Sequence, residues 1–191
     1  MEYTKLPTSQ EVELELQREQ YKSKYRRTLK STFFALITAA AAAVLVATLW
    51  LPVLQIFGSS MVPTLQEGQI VVSVKVEQMQ AGDIVAFYYG NKVLIKRYIA
   101  GPGTWVDIRE DGTVLLNGKV LEEPYLEAKA LGICDLECPY QVPEGTYFLM
   151  GDQRDTSVDS RHSTVGCISR DDIVGKIVLR VWPVDSVGIV D

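Results

Sequence analysis

The chain has 191 residues and a net charge of −5, so one domain with accessory segments is expected. The mildly acidic balance argues against a nucleic-acid partner, because domains that bind nucleic acid usually carry a basic excess. The single histidine and the three cysteines do not supply the clustered ligands of a zinc site, so no metal centre is predicted.

Residues 1–30 are polar, with acidic residues early and basic residues late. We predict a cytoplasmic tail over this stretch, either helical or disordered. The basic residues crowd the end that meets an apolar segment: Lys22, Lys24, Arg26, Arg27 and Lys30.

The segment from Ser31 to Leu51 contains no charged residue. About twenty apolar residues suffice to cross a bilayer as a helix, so residues 31–52 are predicted to be a transmembrane signal-anchor. A cleavable signal peptide would have a shorter apolar region, and a buried core helix would rarely be so uniformly apolar. Because the basic cluster precedes the segment, the positive-inside rule places the N-terminus in the cytoplasm and residues 53–191 outside the cytoplasmic membrane.

Residues 53–191 consist of short runs rich in Val, Ile and Tyr, separated by turn residues. Strands are predicted at 69–76, 84–89, 93–100, 104–109, 113–116, 146–150 and 173–181. Asn117-Gly118 is the strongest kind of short hairpin signal. Helical segments do not alternate with these runs, so we predict a mostly β domain, with an irregular insert at residues 122–143.

The cysteines are odd in number, so at least one is unpaired within a monomer. Cys134 and Cys138 flank a short loop, where either a local disulfide or two free thiols would be consistent with the sequence. Cys167 is expected to be a small buried residue with a structural role.

Three residues could take part in hydrolysis, one as a nucleophile and two as alternative bases. Ser60 lies in a Gly/Ser/Pro turn, where a serine is usually only a turn residue, and a serine hydroxyl is a poor nucleophile until a base takes its proton. His162 is one candidate base and Lys96 is another, because burial lowers the pKa of a lysine. Strand alternation puts Lys96 beside Leu94 and Tyr98 in an apolar run. An edge strand whose long charged side chains reach solvent would also explain this run.

Taken together, three stretches resemble the bacterial type I signal peptidase family of serine peptidases. They are Gly-Ser-Ser-Met-Val-Pro-Thr-Leu at 58–65, Ile-Lys-Arg-Tyr-Ile-Ala-Gly-Pro-Gly at 95–103, and Met-Gly-Asp-Gln-Arg-Asp-Thr-Ser-Val-Asp-Ser-Arg at 150–161. The resemblance extends from the membrane segment to the C-terminus. It implies a signal-peptidase-like β-barrel or sandwich and a Ser/Lys dyad that needs no cofactor.

The resemblance also implies roles for single residues. Ser60 would be the nucleophile, Lys96 the general base, and Ser157 the group that orients the lysine. The oxyanion would be held by the Ser60 backbone N–H, while Gly58 stands where some relatives have an assisting serine hydroxyl. Supporting structural residues near the site would be Arg97, Asp152, Arg154, Asp159 and Arg161.

The implied substrates are exported preproteins with Ala-x-Ala before the cut. Plausible walls of shallow pockets for these small side chains are Met61, Leu65 and Ile95, and the substrate would add as a β-strand. The remaining expectations are a bilayer as partner, no nucleic acid, and a monomer.

Within the third stretch, Gln153 and Thr156 each replace an asparagine of the commonest family pattern. His162 follows where an aromatic or apolar residue is common. The alternatives are a non-catalytic scaffolding homologue, which would have lost the Ser or Lys, and a self-cleaving repressor-type protease, which would need a DNA-binding head where the membrane segment lies.

Overall fold

The structure is a computed structural model that describes residues 9–190. It contains two compact units, Met1–Ala47 and Thr48–Asp191, and each is described by itself.

The first unit is occupied by one continuous helix, α1, which runs over Ser9–Trp50 and therefore includes most of the polar tail as well as the apolar segment. The sequence of α1 contains neither Gly nor Pro, and Pro52 lies just beyond its end. By length and composition, Val12–Leu45 contains a stretch that could cross a membrane. The described side chains of α1 are exposed.

The second unit is built from short strands, with two single turns of 3-10 helix at Arg170–Asp172 and Val184–Ser186. In chain order the strands are β1 (Val53–Gln55), β2 (Ile70–Val74), β3 (Ile84–Tyr89), β4 (Lys92–Ala100), β5 (Trp105–Ile108), β6 (Val114–Leu116), β7 (Lys119–Val120), β8 (Tyr140–Gln141), β9 (Thr146–Met150), β10 (Ile168–Ser169), β11 (Ile173–Trp182) and β12 (Gly188–Ile189).

The strands form two antiparallel sheets. The larger sheet has the order β1-β2-β11-β3-β4-β9-β10, with β12 pairing to β11, and the smaller sheet has the order β7-β6-β5-β8. The prediction of a mostly β domain behind one N-terminal apolar helix is therefore confirmed. Strands β3 and β9 have the predicted bounds, and Asn117 and Gly118 adopt the positive φ angles (50° and 79°) of a tight hairpin.

The strands that the sequence analysis did not predict are short or lie next to turns: β1, β7, β8, β10 and β12. Of these, β1 is important for the site. It forms one end of the larger sheet and pairs with β2 through Leu54 opposite Val71.

Three apolar clusters hold the second unit together. One of them includes Met61 and Leu65, which pack with Ile84 and Ile177 of the larger sheet. Because Met61 and Leu65 are buried, the turn that carries Ser60 is anchored to the sheet at two points.

The interval from 122 to 143 consists of turns and bends apart from strand β8. Cys134 and Cys138 lie here as free thiols. Cys167 is also free and packs partly buried against the cluster that contains Phe148.

Candidate active site

Ser60 lies in the turn between β1 and β2, immediately before buried Met61. The turn is closed by the Leu65 amide donating to the Met61 carbonyl at 2.8 Å. The Ser60 carbonyl accepts from the Gln153 amide at 3.0 Å, which ties this turn to the third stretch. Within the described residues, the Ser60 amide donates no intramolecular hydrogen bond.

Lys96 lies opposite Val85 of β3, one residue before β9 begins to pair with β4. Strand β4 pairs with β3 on one side and with β9 on the other, and Lys96 is only 4% exposed. The alternative of an edge strand with both charged side chains in solvent is therefore wrong. Burial lowers the pKa of Lys96 to about 8, and the Arg161 charge acts in the same direction against the opposing charges of Asp159 and Asp152.

Ser157 is buried and lies 2.9 Å from Lys96, measured from Oγ to Nζ. Gly151 packs directly against it, since a Cβ at position 151 would collide with the Ser157 side chain and with the Ser60 carbonyl. The close approach of Ser60, Gly151 and Ser157 therefore requires a residue without a side chain at position 151.

Asp159 and Arg161 form a buried pair behind Ser157. Two parallel hydrogen bonds of 2.9 Å join the guanidinium to the carboxylate, and the second carboxylate oxygen also accepts from the Gly151 amide at 2.9 Å. Burial alone would raise the pKa of Asp159, but the hydrogen bonds and charge of Arg161 outweigh it and hold that pKa below its usual value.

Arg97 and Asp152 form a second buried pair on the opposite face of β4 from Lys96. The guanidinium binds the carboxylate through Nε at 2.8 Å and Nη2 at 2.7 Å. Thr64, from the stretch that carries Ser60, donates its hydroxyl to Asp152 and accepts from Arg97. The pair therefore links all three sequence stretches.

Arg154 is the third buried arginine, and its carboxylate partner is Glu123. The sequence analysis assigned no role to Glu123, to Tyr125, which stacks on Arg97, or to Thr64. Glu123 and Tyr125 belong to the irregular insert, where no strand or helix period marks which side chains are buried. Their contacts with the buried arginines are evident only from the three-dimensional structure.

A cavity of about 760 Å³ opens beside Ser60 and Lys96. One wall is formed by β1 and the residues after it, and the other by residues 92–96 of β4. β4 pairs with β9 only from Arg97 onward, and β1 pairs only with β2 among the described strands. Both walls therefore present strand edges whose backbone groups could pair with an extended peptide.

The three residues that were expected to form pockets for small side chains lie at different positions relative to the cavity. Met61 and Ile95 contact the cavity directly. Leu65 is fully buried beneath it, in the cluster that supports Met61. Gly58 also lines the cavity, with a φ of 79° and open space where a Cβ would be.

His162 is not among the residues that line the cavity. Its Nδ1 accepts from the Thr164 amide at 3.2 Å, and its Nε2 lies 3.9 Å from Asp135. Among the residues of 9–190, no group of three His, Cys, Asp or Glu side chains could hold a metal ion.

A serine and a buried lysine with a lowered pKa, both lining one cavity, are the components of a peptidase that works through a serine nucleophile. Sequence comparison agrees with this class. The profile of the family described as "Signal peptidase, peptidase S26" matches residues 27–182, so the chain belongs to that family and is a serine peptidase.

Several characterised relatives are similar over most of the chain. Signal peptidase I of Bacillus amyloliquefaciens is 38% identical over 163 residues, which cover 78% of this chain and 83% of that protein. Signal peptidase I T of Bacillus subtilis (strain 168) is 39% identical over 140 residues, covering 66% and 71% respectively. A crystal structure of a signal peptidase I from Enterococcus faecalis V583 is 30% identical, with a TM-score of 0.43 over 53% of this chain and 98% of that one.

Proposed function

We propose that this protein is a membrane-bound signal peptidase that removes N-terminal signal peptides from exported preproteins, with Ser60 as nucleophile and Lys96 as general base. The observation that carries the proposal is the buried Lys96, bonded to Ser157 at 2.9 Å and lining the same cavity as Ser60. Membership in the signal peptidase family supports the substrate class.

In this mechanism the neutral Lys96 amine removes the proton from the Ser60 hydroxyl as the serine oxygen attacks the scissile carbonyl carbon. The unused Ser60 amide is a donor for the resulting oxyanion. Lys96 then gives the proton to the departing amine, which leaves as the N-terminus of the mature protein. A water molecule, deprotonated by the same lysine, hydrolyses the acyl-enzyme and regenerates Ser60.

The supporting residues keep this lysine reactive. Ser157 fixes the position of Nζ, and the surrounding apolar strands keep the ammonium form poorly solvated. The paired carboxylates of Asp152 and Asp159 favour the charged lysine, but each is largely neutralised by its own arginine. With a pKa of about 8, about one tenth of Lys96 is uncharged at pH 7 and about half at pH 8.

The groove suits an extended peptide with small side chains before the cut, such as Ala-x-Ala. Met61 and Ile95 form apolar walls, and the edges of β1 and β4 offer backbone partners on two sides. The two side chains that alternate toward the walls would have to be small, while the residue between them would point away from the enzyme.

We also propose the lipid bilayer as a partner and a cytoplasmic N-terminus. The composition of α1 supports a membrane span. In the second unit, an outward sheet face carries exposed apolar residues, among them Val53, Trp182 and Ile189. Such a face is unusual for a surface in contact only with water. A monomer with no nucleic-acid partner remains our expectation.

The test measures cleavage of a preprotein with an Ala-x-Ala site by the full chain in lipid, from about pH 6 to pH 10. The rate should rise with pH through about 8, because only the neutral form of Lys96 accepts a proton. Ser60→Ala and Lys96→Ala should each lower the rate by about 1,000-fold or more. Ser59→Ala and Lys119→Ala, at exposed positions, are the matched controls.

Cleavage that survives Lys96→Ala would contradict the lysine mechanism, and His162 would become the residue to test. A parent protein that folds and cleaves no preprotein would favour a scaffolding role.

A further inference from the structure

Three buried arginines, each less than 2% exposed, lie in or against the loop that carries Ser157: Arg154 and Arg161 belong to the loop, and Arg97 contacts it. Their carboxylate partners are Asp152 for Arg97, Glu123 for Arg154 and Asp159 for Arg161. A buried guanidinium is costly unless its charge is paired and its donors are satisfied, so each of these arginines depends on its neighbours.

One segment, residues 123–131, contacts all three arginines, and we refer to it as the clamp segment. At its start, the Glu123 carboxylate binds the Arg154 guanidinium and accepts a hydrogen bond from the Tyr125 hydroxyl at 3.0 Å. The Tyr125 ring lies over Arg97, with the guanidinium carbon 3.8 Å from the ring centroid. Hydrogen bonding and cation–π stacking therefore join two of the arginines through Glu123 and Tyr125, which are two positions apart in the sequence.

The end of the clamp segment contacts the third arginine. The Leu131 carbonyl accepts from Arg161 Nη1 at 2.7 Å. Gly132, with a φ of 60°, follows immediately, and a Cβ there would collide with the Arg154 carbonyl. The chain therefore presses closely against the loop at both ends of the clamp segment.

The contacts lead from the clamp segment to the reacting groups. Arg154 Nε donates to the Gly151 carbonyl at 3.0 Å, and Gly151 packs against both Ser157 and the Ser60 carbonyl. Arg97 holds Asp152, which accepts the hydroxyl of Thr64. Neither Glu123 nor Tyr125 lines the groove beside Ser60.

We propose that Glu123 and Tyr125 are positioning residues, which hold the loop at residues 151–161 against Ser60 and Lys96 by completing the partners of Arg154 and Arg97. The proposal rests on the proposed function of this same site. If the clamp segment loosens, water gains access to Lys96, whose charged neighbours are Asp159, Arg161 and Asp152.

The experiment compares Glu123→Gln, Tyr125→Ala and Tyr125→Phe in the full chain, with Glu122→Gln as the exposed neighbouring control. Glu123→Gln and Tyr125→Ala should lower kcat by about 10- to 100-fold while KM changes by less than about threefold. The midpoint of the pH–rate profile should rise toward the ordinary lysine value, because hydration restores the ammonium form. Tyr125→Phe keeps the ring over Arg97. Its kcat and the midpoint of its pH–rate profile should change in the same directions, but by less.

Amide hydrogen exchange gives a second measurement that does not depend on cleavage. In Glu123→Gln, exchange at residues 151–161 should accelerate by about tenfold or more, while β3 remains as protected as in the parent. If Glu123→Gln does not fold, the same comparison is made with Tyr125→Phe, which removes only the hydroxyl that bonds Glu123.

Two results would overturn the proposal. One is a rate that falls by the same factor at every pH, with exchange accelerated throughout the second unit, as expected for a general loss of folded protein. The other is unchanged kcat, pH profile and exchange. A parent protein that cleaves no preprotein would refute the proposed function, and the exchange data would still decide whether the clamp segment holds the loop.

Discussion

At the scale of single residues, the site depends on a lysine in surroundings that disfavour its charge. Lys96 lies opposite the apolar Val85 of the neighbouring strand and donates a hydrogen bond to a neutral group, the Ser157 hydroxyl. Two buried ion pairs flank it, so most of the fixed charge nearby is balanced. The same burial that would make Lys96 a base in our proposal destabilises the folded protein whenever the lysine is protonated.

This cost can be measured with Lys96→Met, which keeps the length of the side chain and removes its charge. Between pH 8 and 10.5 the unfolded chain binds a proton that the folded chain does not, so the stability of the parent rises with pH in this window. The variant should therefore gain stability over the parent as pH falls from about 10.5 to about 8, and the gain should then level off. At pH 7 the pH-dependent part of the gain should be about 3 kcal/mol in the free energy of unfolding.

Chemical denaturation across this pH range is the measurement, with Lys119→Met as the control at an exposed strand position. A stability difference between parent and Lys96→Met that does not vary with pH would mean that Lys96 is not held in its neutral form by burial.

At the scale of elements, the groove arises because two strands of the larger sheet are left partly unpaired. β9 pairs with β4 from Arg97 onward, so residues 92–96 keep a free edge next to Lys96. β1 ends the sheet on the other side of the cavity. In our proposal, Ser60 and Lys96 lie where two strand edges face each other. Such edges can bind a peptide backbone without specific contacts to most of its side chains.

Much of this arrangement follows from local sequence, and some of it does not. Short strand-like runs bounded by turn residues predicted β3 and β9 to the residue, and Asn117-Gly118 predicted its hairpin, because turn chemistry and strand propensity act over a few neighbours. Glu123 and Arg154 lie 31 positions apart, and nothing near either residue indicates the other. The resemblance of three stretches to a known family identified Ser60 and Lys96 as candidates, but periodicity alone also allowed an exposed edge strand.

The groove wall can be tested with Ile95→Ala, which should enlarge the space that receives the small side chain before the cut. Removing buried methylene groups should let a preprotein with Val at that position compete with Ala, and the ratio of kcat/KM for Val over Ala should rise by about 10-fold. Ile189→Ala is the matched control, since Ile189 is exposed on β12 away from the cavity. An unchanged ratio would show that Ile95 does not set the size limit.

At the scale of the whole molecule, the chain joins a helix able to span a membrane to a β domain with a peptide-sized groove. Ser60 follows the last helical residue, Trp50, by only ten positions in the sequence. For a substrate whose cleavage site lies just beyond its own apolar segment, such a short connection would keep the nucleophile near the membrane surface. The proposal therefore requires that residues 1–30 and residues 53–191 lie on opposite sides of the membrane.

In our proposal, the positive charges before the apolar segment determine on which side of the membrane the β domain lies. Positive residues are retained on the cytoplasmic side, whereas acidic residues contribute little to orientation. Replacing Lys22, Lys24, Arg26, Arg27 and Lys30 together by Gln should therefore reduce the fraction of chains whose β domain lies outside, by on the order of half. Protease added to bacterial spheroplasts measures this fraction, because it digests only a β domain that has crossed the membrane.

The matched control replaces Glu13, Glu15 and Glu19 by Gln, which alters the same tail without removing positive charge. Its β domain should remain as accessible to protease as that of the parent. If both sets of substitutions leave accessibility unchanged, the basic cluster does not direct insertion. If the parent's β domain is itself protected, the proposed outside location is wrong, because a peptidase on the cytoplasmic side could not meet the cleavage sites of exported preproteins.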